Sequence, residues 1–142
     1  MELTRRRLAA VLGSTALAGG AVPAGASTRP TFIFVEADDC EPCKRWHANE
    51  AHWWRQAPEH ARVQTIFLRA PRAREAYRDA NWPEELRRFR DLPGAPRATP
   101  AFFVITGGAL VTMTSGYSAW RRDVLPTVRQ LVAGSGTPAR RA

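Results

Sequence analysis

The chain's two cysteines are its only ones, and they stand three positions apart in Cys40-Glu41-Pro42-Cys43. An apolar run, residues 31–35, precedes them, and a segment with helical periodicity follows, so both sulfurs are predicted in the first turn of a helix. The free N–H groups and the dipole of a helix N-terminus stabilise a thiolate. With Asp39 as the predicted N-cap, Cys40 is the first helical residue and exposed, and Cys43 lies one turn further in. The spacing predicts a dithiol that cycles with a disulfide: Cys40 attacks and Cys43 resolves the mixed disulfide.

Other kinds of site use the same spacing. A structural zinc site needs a second Cys or His pair, and haem attachment needs a histidine directly after Cys43, where Lys44 stands. A bridge from Cys40 to Cys43 closes too short a loop to remove much entropy from the unfolded chain, which favours a redox-active pair over a structural staple. We expect no cofactor and no resident metal. A metal chaperone that binds a soft ion such as copper through Cys40, Cys43 and His47 stays open, although the neighbouring proline would obstruct it.

Residues 1–26 have the features of a signal peptide. A basic start (Thr4-Arg5-Arg6-Arg7-Leu8) is followed by a weakly apolar stretch, residues 8–22, and by the small residues Ala24-Gly25-Ala26. The paired arginines and the glycine-diluted apolar stretch favour the twin-arginine route, with Ser27 as the first mature residue. The stretch is too short and too polar to remain as a stable membrane anchor. The sequence therefore predicts an exported, periplasmic protein.

Length and charge limit the remaining possibilities. At 142 residues, 44% of them apolar, the chain has room for one domain, which we place at residues 27–133 and follow with a disordered tail, residues 134–142. The net charge of +8 comes almost wholly from arginine. Because the arginines are scattered and not interleaved with aromatic residues, they predict a solvated basic surface and no nucleic-acid partner.

Hydrophobic periodicity predicts an α/β domain. The predicted strands are residues 31–36, 63–68, 101–105 and 109–114, the last two joined by a glycine turn. The predicted helices are residues 44–56, two short helices separated by a break within residues 73–90, and residues 120–132, which end the domain. Trp46 and Trp54 lie on the apolar face of the first helix and are expected to pack in the core or at its rim.

With its dithiol after the first core strand, this layout resembles the thioredoxin superfamily. The chain is most similar to its SoxS-type periplasmic members, through the pattern C-x-x-C-x-x-W-H at residues 40–47, Thr99-Pro100 before an Ala-Phe-Phe-Val strand, and Gly116-Tyr117 before the last helix. The resemblance implies a thioredoxin-like fold with a central four-stranded mixed sheet flanked by helices. It also implies that Pro100 is a cis proline facing the dithiol, and that the backbone of Thr99 pairs with an extended substrate.

The resemblance further implies an enzyme, a protein thiol–disulfide oxidoreductase. We expect a monomer that reduces disulfides or mixed disulfides on periplasmic partner proteins, in a process such as sulfur oxidation. Since the periplasm is held oxidising, its electrons would come from a membrane thiol shuttle. An oxidant or isomerase remains open, because the fold does not set the direction of the reaction.

One position departs from ordinary thioredoxin. Six residues before the first cysteine, where thioredoxin keeps a buried aspartate as proton acceptor, stands Phe34. Glu36 or His47 is therefore the candidate to accept a proton from Cys43. His47 lies one helical turn after Cys43, so contact between them is feasible.

Charged residues crowd the dithiol and should tune it. Four acidic side chains are expected to raise the pKa of the thiols, namely Glu36, Asp38, Asp39 and Glu41. The helix terminus, Lys44 and Arg45 act in the opposite direction. Four acids against two bases predict a reducing pair, with a potential below about −200 mV.

Overall fold

In a computed structural model, the chain is described for residues 29–135. The predicted signal peptide, Ser27 as the first mature residue and all of the predicted tail after Ser135 lie outside these residues.

Four strands form one mixed sheet in the order β2-β1-β3-β4: β1 (Thr31–Ala37), β2 (Gln64–Ala70), β3 (Ala101–Thr106) and β4 (Ala109–Ser115). Strand β1 pairs with β2 in parallel and with β3 in antiparallel fashion, and β3 and β4 form an antiparallel hairpin. The expected four-stranded mixed sheet is confirmed. Each strand extends one or two residues beyond its predicted end.

Strand β1 is central and is covered on both faces, which accounts for its continuous apolar sequence. Phe32 and Phe34 pack on one face of the sheet, in a cluster with the tryptophans of the helices that flank it. Ile33 and Val35 pack on the other face. The sheet therefore separates two apolar layers, and the dithiol belongs to the first of them.

Four α-helices flank the sheet: α1 (Glu41–Asn49), α2 (Ala51–Gln56), α3 (Glu84–Arg90) and α4 (Leu125–Gly134). Turns of 3-10 helix cover His60–Arg62, Ala73–Glu75 and Asp79–Asn81, and a π-helical segment, Trp120–Val124, leads into α4. Helix α4 runs two residues beyond its predicted end, so Gly134 is helical and not part of a tail. Within residues 29–135, no helix combines the length and the apolar character needed to cross a membrane.

The prediction of a single helix over residues 44–56 is wrong, because the helix is interrupted at Glu50 (φ −111°, ψ −38°), which separates α1 from α2. The Glu50 carboxylate is only 3% exposed and accepts hydrogen bonds from the indoles of Trp53 and Trp120, at 2.9 and 3.1 Å. The hydroxyl of Tyr117 donates to it at 3.2 Å, and Nε of Arg121 donates to both of its oxygens. The break places this carboxylate where four donors converge.

Two short helices are expected within residues 73–90, and the prediction of the first is also wrong. The chain forms only 3-10 turns before α3. Nε1 of the buried Trp82 donates at 2.9 Å to the carbonyl of Ala76, which in an α-helix would accept from residue 80. The Trp82 ring packs edge-on against Phe103 of β3, 5.5 Å between centroids. In this segment, the packing of Trp82 against the sheet therefore takes the place of the backbone hydrogen bonds of an α-helix.

Candidate redox site

The two cysteines form a disulfide at the N-terminus of α1, with their Cα atoms 5.2 Å apart. Cys40 has an extended backbone (φ −95°, ψ 101°), and its sulfur accepts a hydrogen bond of 3.2 Å from the backbone N–H of Cys43. Cys40 is thus the N-cap and Glu41 the first helical residue, which corrects the prediction that Asp39 caps the helix. An N–H donor aimed at Sγ favours negative charge on that sulfur.

Both cysteines are buried in this disulfide form, so the prediction of an exposed Cys40 is wrong here. Cys40 is 5% exposed and Cys43 1%. They belong to the same apolar cluster as Trp46 and Trp54, which both prove to be core residues. Cys40 is the more accessible of the two.

Asp39 and Asp38 tie the loop before the dithiol to the end of β2. A carboxylate oxygen of Asp39 accepts a 2.7 Å hydrogen bond from the backbone N–H of Ala73, which draws it away from the cap of α1. Asp38 forms an ion pair with Arg69, and its N–H donates to the carbonyl of Ala70 at 3.0 Å. Both carboxylates therefore have partners outside the dithiol.

Glu36 and His47, the two candidates for proton transfer, contact each other. Nε2 of His47 lies 2.6 Å from Oε2 of Glu36, which is only 5% exposed at the end of β1. The imidazole also packs beside the rings of Phe34 and Phe67, with centroids 5.7 and 5.8 Å away. A carboxylate inside the fold is thereby connected to a partly exposed base on α1.

Glu41 lies on the exposed side of α1 and pairs with Lys44 at 2.6 Å, which raises the pKa of Lys44 through their hydrogen bond. Each of the four acids near the dithiol thus has a partner of its own. The structure also adds Arg69 to the basic side chains of the site. Counting four acids against two bases therefore overstates the negative charge that Cys40 experiences.

Thr99 and Pro100 lie at the same end of the central strands as the dithiol. Their peptide bond is cis, Pro100 is buried and Thr99 half-buried. Strand β3 begins directly afterwards, and Ala101 pairs with Val35 near the end of β1 from which the chain enters the dithiol loop. The carbonyl of Pro100 accepts a 2.9 Å hydrogen bond from the N–H of Gly116, whose φ of +95° suits a glycine.

Two tyrosines that the sequence analysis did not single out as site residues flank this proline loop. The hydroxyl of Tyr77 donates at 2.6 Å to the carbonyl of Ala98, and burial raises the pKa of Tyr77, so the hydroxyl keeps its proton and remains a donor. The guanidinium of Arg97 lies 5.6 Å from the centroid of the same ring. On the other side, Arg45 lies 5.5 Å from the ring of Tyr117. No local pattern marks Tyr77, because its partner is 21 residues away.

The residues that could hold a soft metal do not assemble into a site. His47 faces Glu36, while Cys40 and Cys43 are joined to each other. Across residues 29–135, no three side chains of His, Cys, Asp or Glu come together in a way that could bind a metal ion. The arrangement does not favour the metal-chaperone alternative.

Comparison of the fold with solved structures finds thioredoxins. The thioredoxin of Malassezia sympodialis is 14% identical at a TM-score of 0.50, covering 76% of this chain and 81% of that one. Spinach chloroplast thioredoxin f is 17% identical at 0.50, covering 75% and 73%. Reduced periplasmic thioredoxin SoxS from Paracoccus pantotrophus is 20% identical at 0.47, covering 75% and 98%.

The sequence matches no protein-family profile and no curated protein. The fold is nevertheless clear from the arrangement of its parts. A central strand leads directly into the dithiol, a parallel neighbour lies on one side, and an antiparallel hairpin entered through a proline lies on the other. Together with the thioredoxins of M. sympodialis and spinach, this arrangement shows that the chain has a thioredoxin-like fold.

Proposed function

We propose that this protein is a thiol–disulfide oxidoreductase that acts on other proteins through Cys40 and Cys43. One observation carries the proposal: the chain's two cysteines are bridged at a helix N-terminus, at the end of the central strands where Pro100 also lies. A disulfide in the first turn of a helix closes too small a loop to stabilise the fold much, which supports a redox role.

The proposed reaction begins with the reduced dithiol. The thiolate of Cys40 attacks one sulfur of a substrate disulfide, the substrate S–S bond breaks, and the other substrate sulfur leaves as a thiolate. Cys43, deprotonated in turn, attacks the sulfur of Cys40 and releases the second substrate thiol. The dithiol has then become the disulfide, and two electrons have passed to the substrate. The N–H of Cys43, 3.2 Å from Sγ of Cys40, supports Cys40 as the attacking thiolate.

Two further groups have proposed roles in this cycle. The backbone of Thr99, beside Pro100, pairs with an extended substrate segment. The support for this role is that both residues lie at the end of the central strands where the dithiol is placed. The Glu36–His47 pair accepts the proton of Cys43 when the mixed disulfide is resolved. Its support is the burial of Glu36 together with the 2.6 Å contact that connects it to the surface.

We further propose that the protein works as a monomeric reductant in the periplasm, on partner proteins that carry disulfides or mixed disulfides. The basic, small-residue-terminated sequence of residues 1–26 supports export. A membrane thiol shuttle would supply the electrons there. Asp39 supports the reducing direction, because its carboxylate stands next to Cys40 and accepts its hydrogen bond from a backbone N–H, which carries no net charge.

An oxidant is the second candidate, and the N–H donated to Sγ of Cys40 favours it, since a stabilised thiolate makes a disulfide more oxidising. The equilibrium potential of the pair, measured against glutathione, decides between the two. A value below about −200 mV supports the reductant, and one near about −120 mV supports the oxidant.

Insulin reduction followed by turbidity, with dithiothreitol as electron source, tests the activity itself. The wild type should accelerate it, and the Cys40→Ser variant should not. In a separate incubation without dithiothreitol, the Cys43→Ser variant should accumulate mixed disulfides, which dithiothreitol added afterwards should release. Trapping by Cys40→Ser and none by Cys43→Ser would reverse the assignment of the two cysteines, and no acceleration by the wild type would remove the proposed activity.

A further inference from the structure

Two arginines near the dithiol each lie over a tyrosine ring. The guanidinium carbon of Arg45 on α1 lies 5.5 Å from the centroid of Tyr117, and that of Arg97 lies 5.6 Å from the centroid of Tyr77. Both arginines are exposed. Stacking on an aromatic face leaves the edge of a guanidinium and its N–H donors free for a further partner.

Each tyrosine lies at or next to a contact with the loop that contains Pro100. The hydroxyl of Tyr77 donates at 2.6 Å to the carbonyl of Ala98, two residues before the proline. On the other side, the carbonyl of Pro100 accepts at 2.9 Å from the N–H of Gly116, which directly precedes Tyr117. Tyr77 and Tyr117 pack against the apolar clusters on opposite faces of the sheet, so the two stacked arginines lie on opposite sides of it.

Neither arginine forms an ion pair within residues 29–135, whereas Lys44 and Arg69 close by are paired with Glu41 and Asp38. Nearby acids are already occupied. Glu50, which the hydroxyl of Tyr117 contacts, is buried and bonded to Arg121 and two indoles. Asp91 has its pKa lowered first by its hydrogen bonds from Arg90 and only to a lesser extent by the charge of Arg97. Arg45 and Arg97 are thus exposed cations that form no ion pair with any other residue of the range 29–135.

We propose, building on the oxidoreductase function, that Arg45 and Arg97 bind carboxylates of the substrate on either side of the Thr99–Pro100 loop. The preferred substrate is then a disulfide in an extended protein segment that carries acidic residues before and after its cysteine. Guanidinium groups pair with carboxylates through two parallel hydrogen bonds, and the stacked tyrosines limit the side-chain freedom lost on binding. A segment paired with the backbone of Thr99 runs between the two arginines.

Three synthetic peptides of equal length test this substrate class. Each carries one central cysteine as a mixed disulfide with thionitrobenzoate, flanked by Glu, Gln or Lys at otherwise identical positions. The release of thionitrobenzoate, read by absorbance, gives the rate constant with the reduced protein. We expect the Glu peptide to react about tenfold faster than the Lys peptide at low salt, with the Gln peptide between them. At about 0.5 M salt the difference should largely disappear, because screening shortens the range of the interaction.

A matched pair of double variants separates local binding from overall charge. Arg45→Glu with Arg97→Glu should abolish or invert the preference for the Glu peptide. Arg55→Glu with Arg62→Glu changes the net charge equally. Arg55, however, lies on α2, and Arg62 lies before β2, at the end of the sheet away from the dithiol. That control should keep the preference. Because Arg45 also tunes the thiols, each peptide rate is divided by the rate of the same variant with neutral hydroxyethyl disulfide, so that only the preference among the peptides is compared.

Equal rates for the three peptides with the wild type would overturn the inference, as would the same loss of preference in both double variants. These results differ from a failure of the underlying function, in which the wild type reacts with none of the peptides and does not accelerate insulin reduction. That last result would remove both proposals.

Discussion

Nε2 of His47 lies 2.6 Å from Oε2 of Glu36, and this contact joins α1 to the end of β1. Glu36 is buried, and His47 is its one hydrogen-bond partner within residues 29–135. A buried carboxylate without a partner is costly. The pair therefore has a structural effect that can be measured separately from any part in the chemistry.

Replacing His47 with Leu should lower the free energy of unfolding by about 1–3 kcal/mol, because it leaves the Glu36 carboxylate without its partner. Urea unfolding followed by circular dichroism measures the change. His52→Leu is the control, since His52 lies exposed on α2 and should change stability by less than about 0.5 kcal/mol. Equal losses in the two variants would show that the contact does not stabilise the fold.

Replacing Glu36 with Gln keeps the shape of the side chain but removes its basicity. If Glu36 and His47 accept the proton of Cys43, resolution of a mixed disulfide on Cys40 should slow by about tenfold or more, within the range of positioned proton transfer. A rapid-mixing experiment with a preformed mixed disulfide on Cys40 measures this step alone. The first attack by Cys40 should keep its wild-type rate. An unchanged resolution rate between about pH 6 and 8 would exclude the pair from this step.

Asp39→Asn should make the Cys40–Cys43 potential less negative by about 10–20 mV. The asparagine oxygen can still accept the hydrogen bond from Ala73 that Asp39 accepts at 2.7 Å, so the change isolates the charge. Removing a negative charge beside Cys40 stabilises its thiolate, and hence the reduced form, by about 1 kcal/mol or less at a solvated site. Equilibration with glutathione gives the potential. A change in the negative direction would contradict this electrostatic argument.

Glu50→Gln should destabilise the fold by about 1–3 kcal/mol at pH 7, because it weakens the hydrogen bonds that the buried carboxylate accepts from the exposed Arg121 and from two indoles. Burial alone would raise the pKa of Glu50, but hydrogen bonds from Arg121, Trp53 and Tyr117 together hold it below its usual range. With the folded pKa below the unfolded value of about 4.3, the stabilisation is complete above that pH and is lost as pH falls through the folded pKa.

The difference in stability between wild type and Glu50→Gln should accordingly shrink below about pH 4.3. Denaturant unfolding at a series of pH values measures it. Glu59→Gln serves for comparison, since it removes a surface ion pair with Arg129 and should cost less than about 1 kcal/mol. A pH-independent difference would mean that Glu50 acts through packing alone.

Tyr77→Phe removes only the hydroxyl that donates to Ala98 and leaves the ring beneath Arg97. We expect KM for insulin to rise several-fold with little change in kcat, because a looser proline loop presents the Thr99 backbone less well. The reaction with hydroxyethyl disulfide, which is too small to use that backbone, should be unchanged. Equal losses with both substrates would indicate general damage to the site.

Local sequence patterns were sufficient for the sheet and for the position of the dithiol. The continuous apolar run of β1 identified a strand covered on both faces. Gly107 and Gly108, with φ of +57° and +76°, form the two-residue turn expected between β3 and β4. These features depend on neighbours in the chain, so periodicity and turn chemistry reveal them.

Two of the errors arise where a residue far along the chain takes the place of a local hydrogen-bond partner. Asp39 would cap α1, but the N–H of Ala73, 34 residues away, binds its carboxylate instead. Glu50 reads as part of one long helix, yet its partners include Trp120 and Arg121, about 70 residues further on. Such partners become visible only when the sheet has brought the ends of the chain together.

The order β2-β1-β3-β4 has a consequence for how this fold can diversify. The dithiol extends from β1, which is hydrogen-bonded to a strand on each side and is therefore among the last parts of the fold to open locally. Arg97 lies on a surface loop, where sequence change is tolerated more easily than in a central strand. A descendant of this chain could thus exchange one set of partners for another through loop substitutions, while the strand that carries its redox chemistry stays as it is.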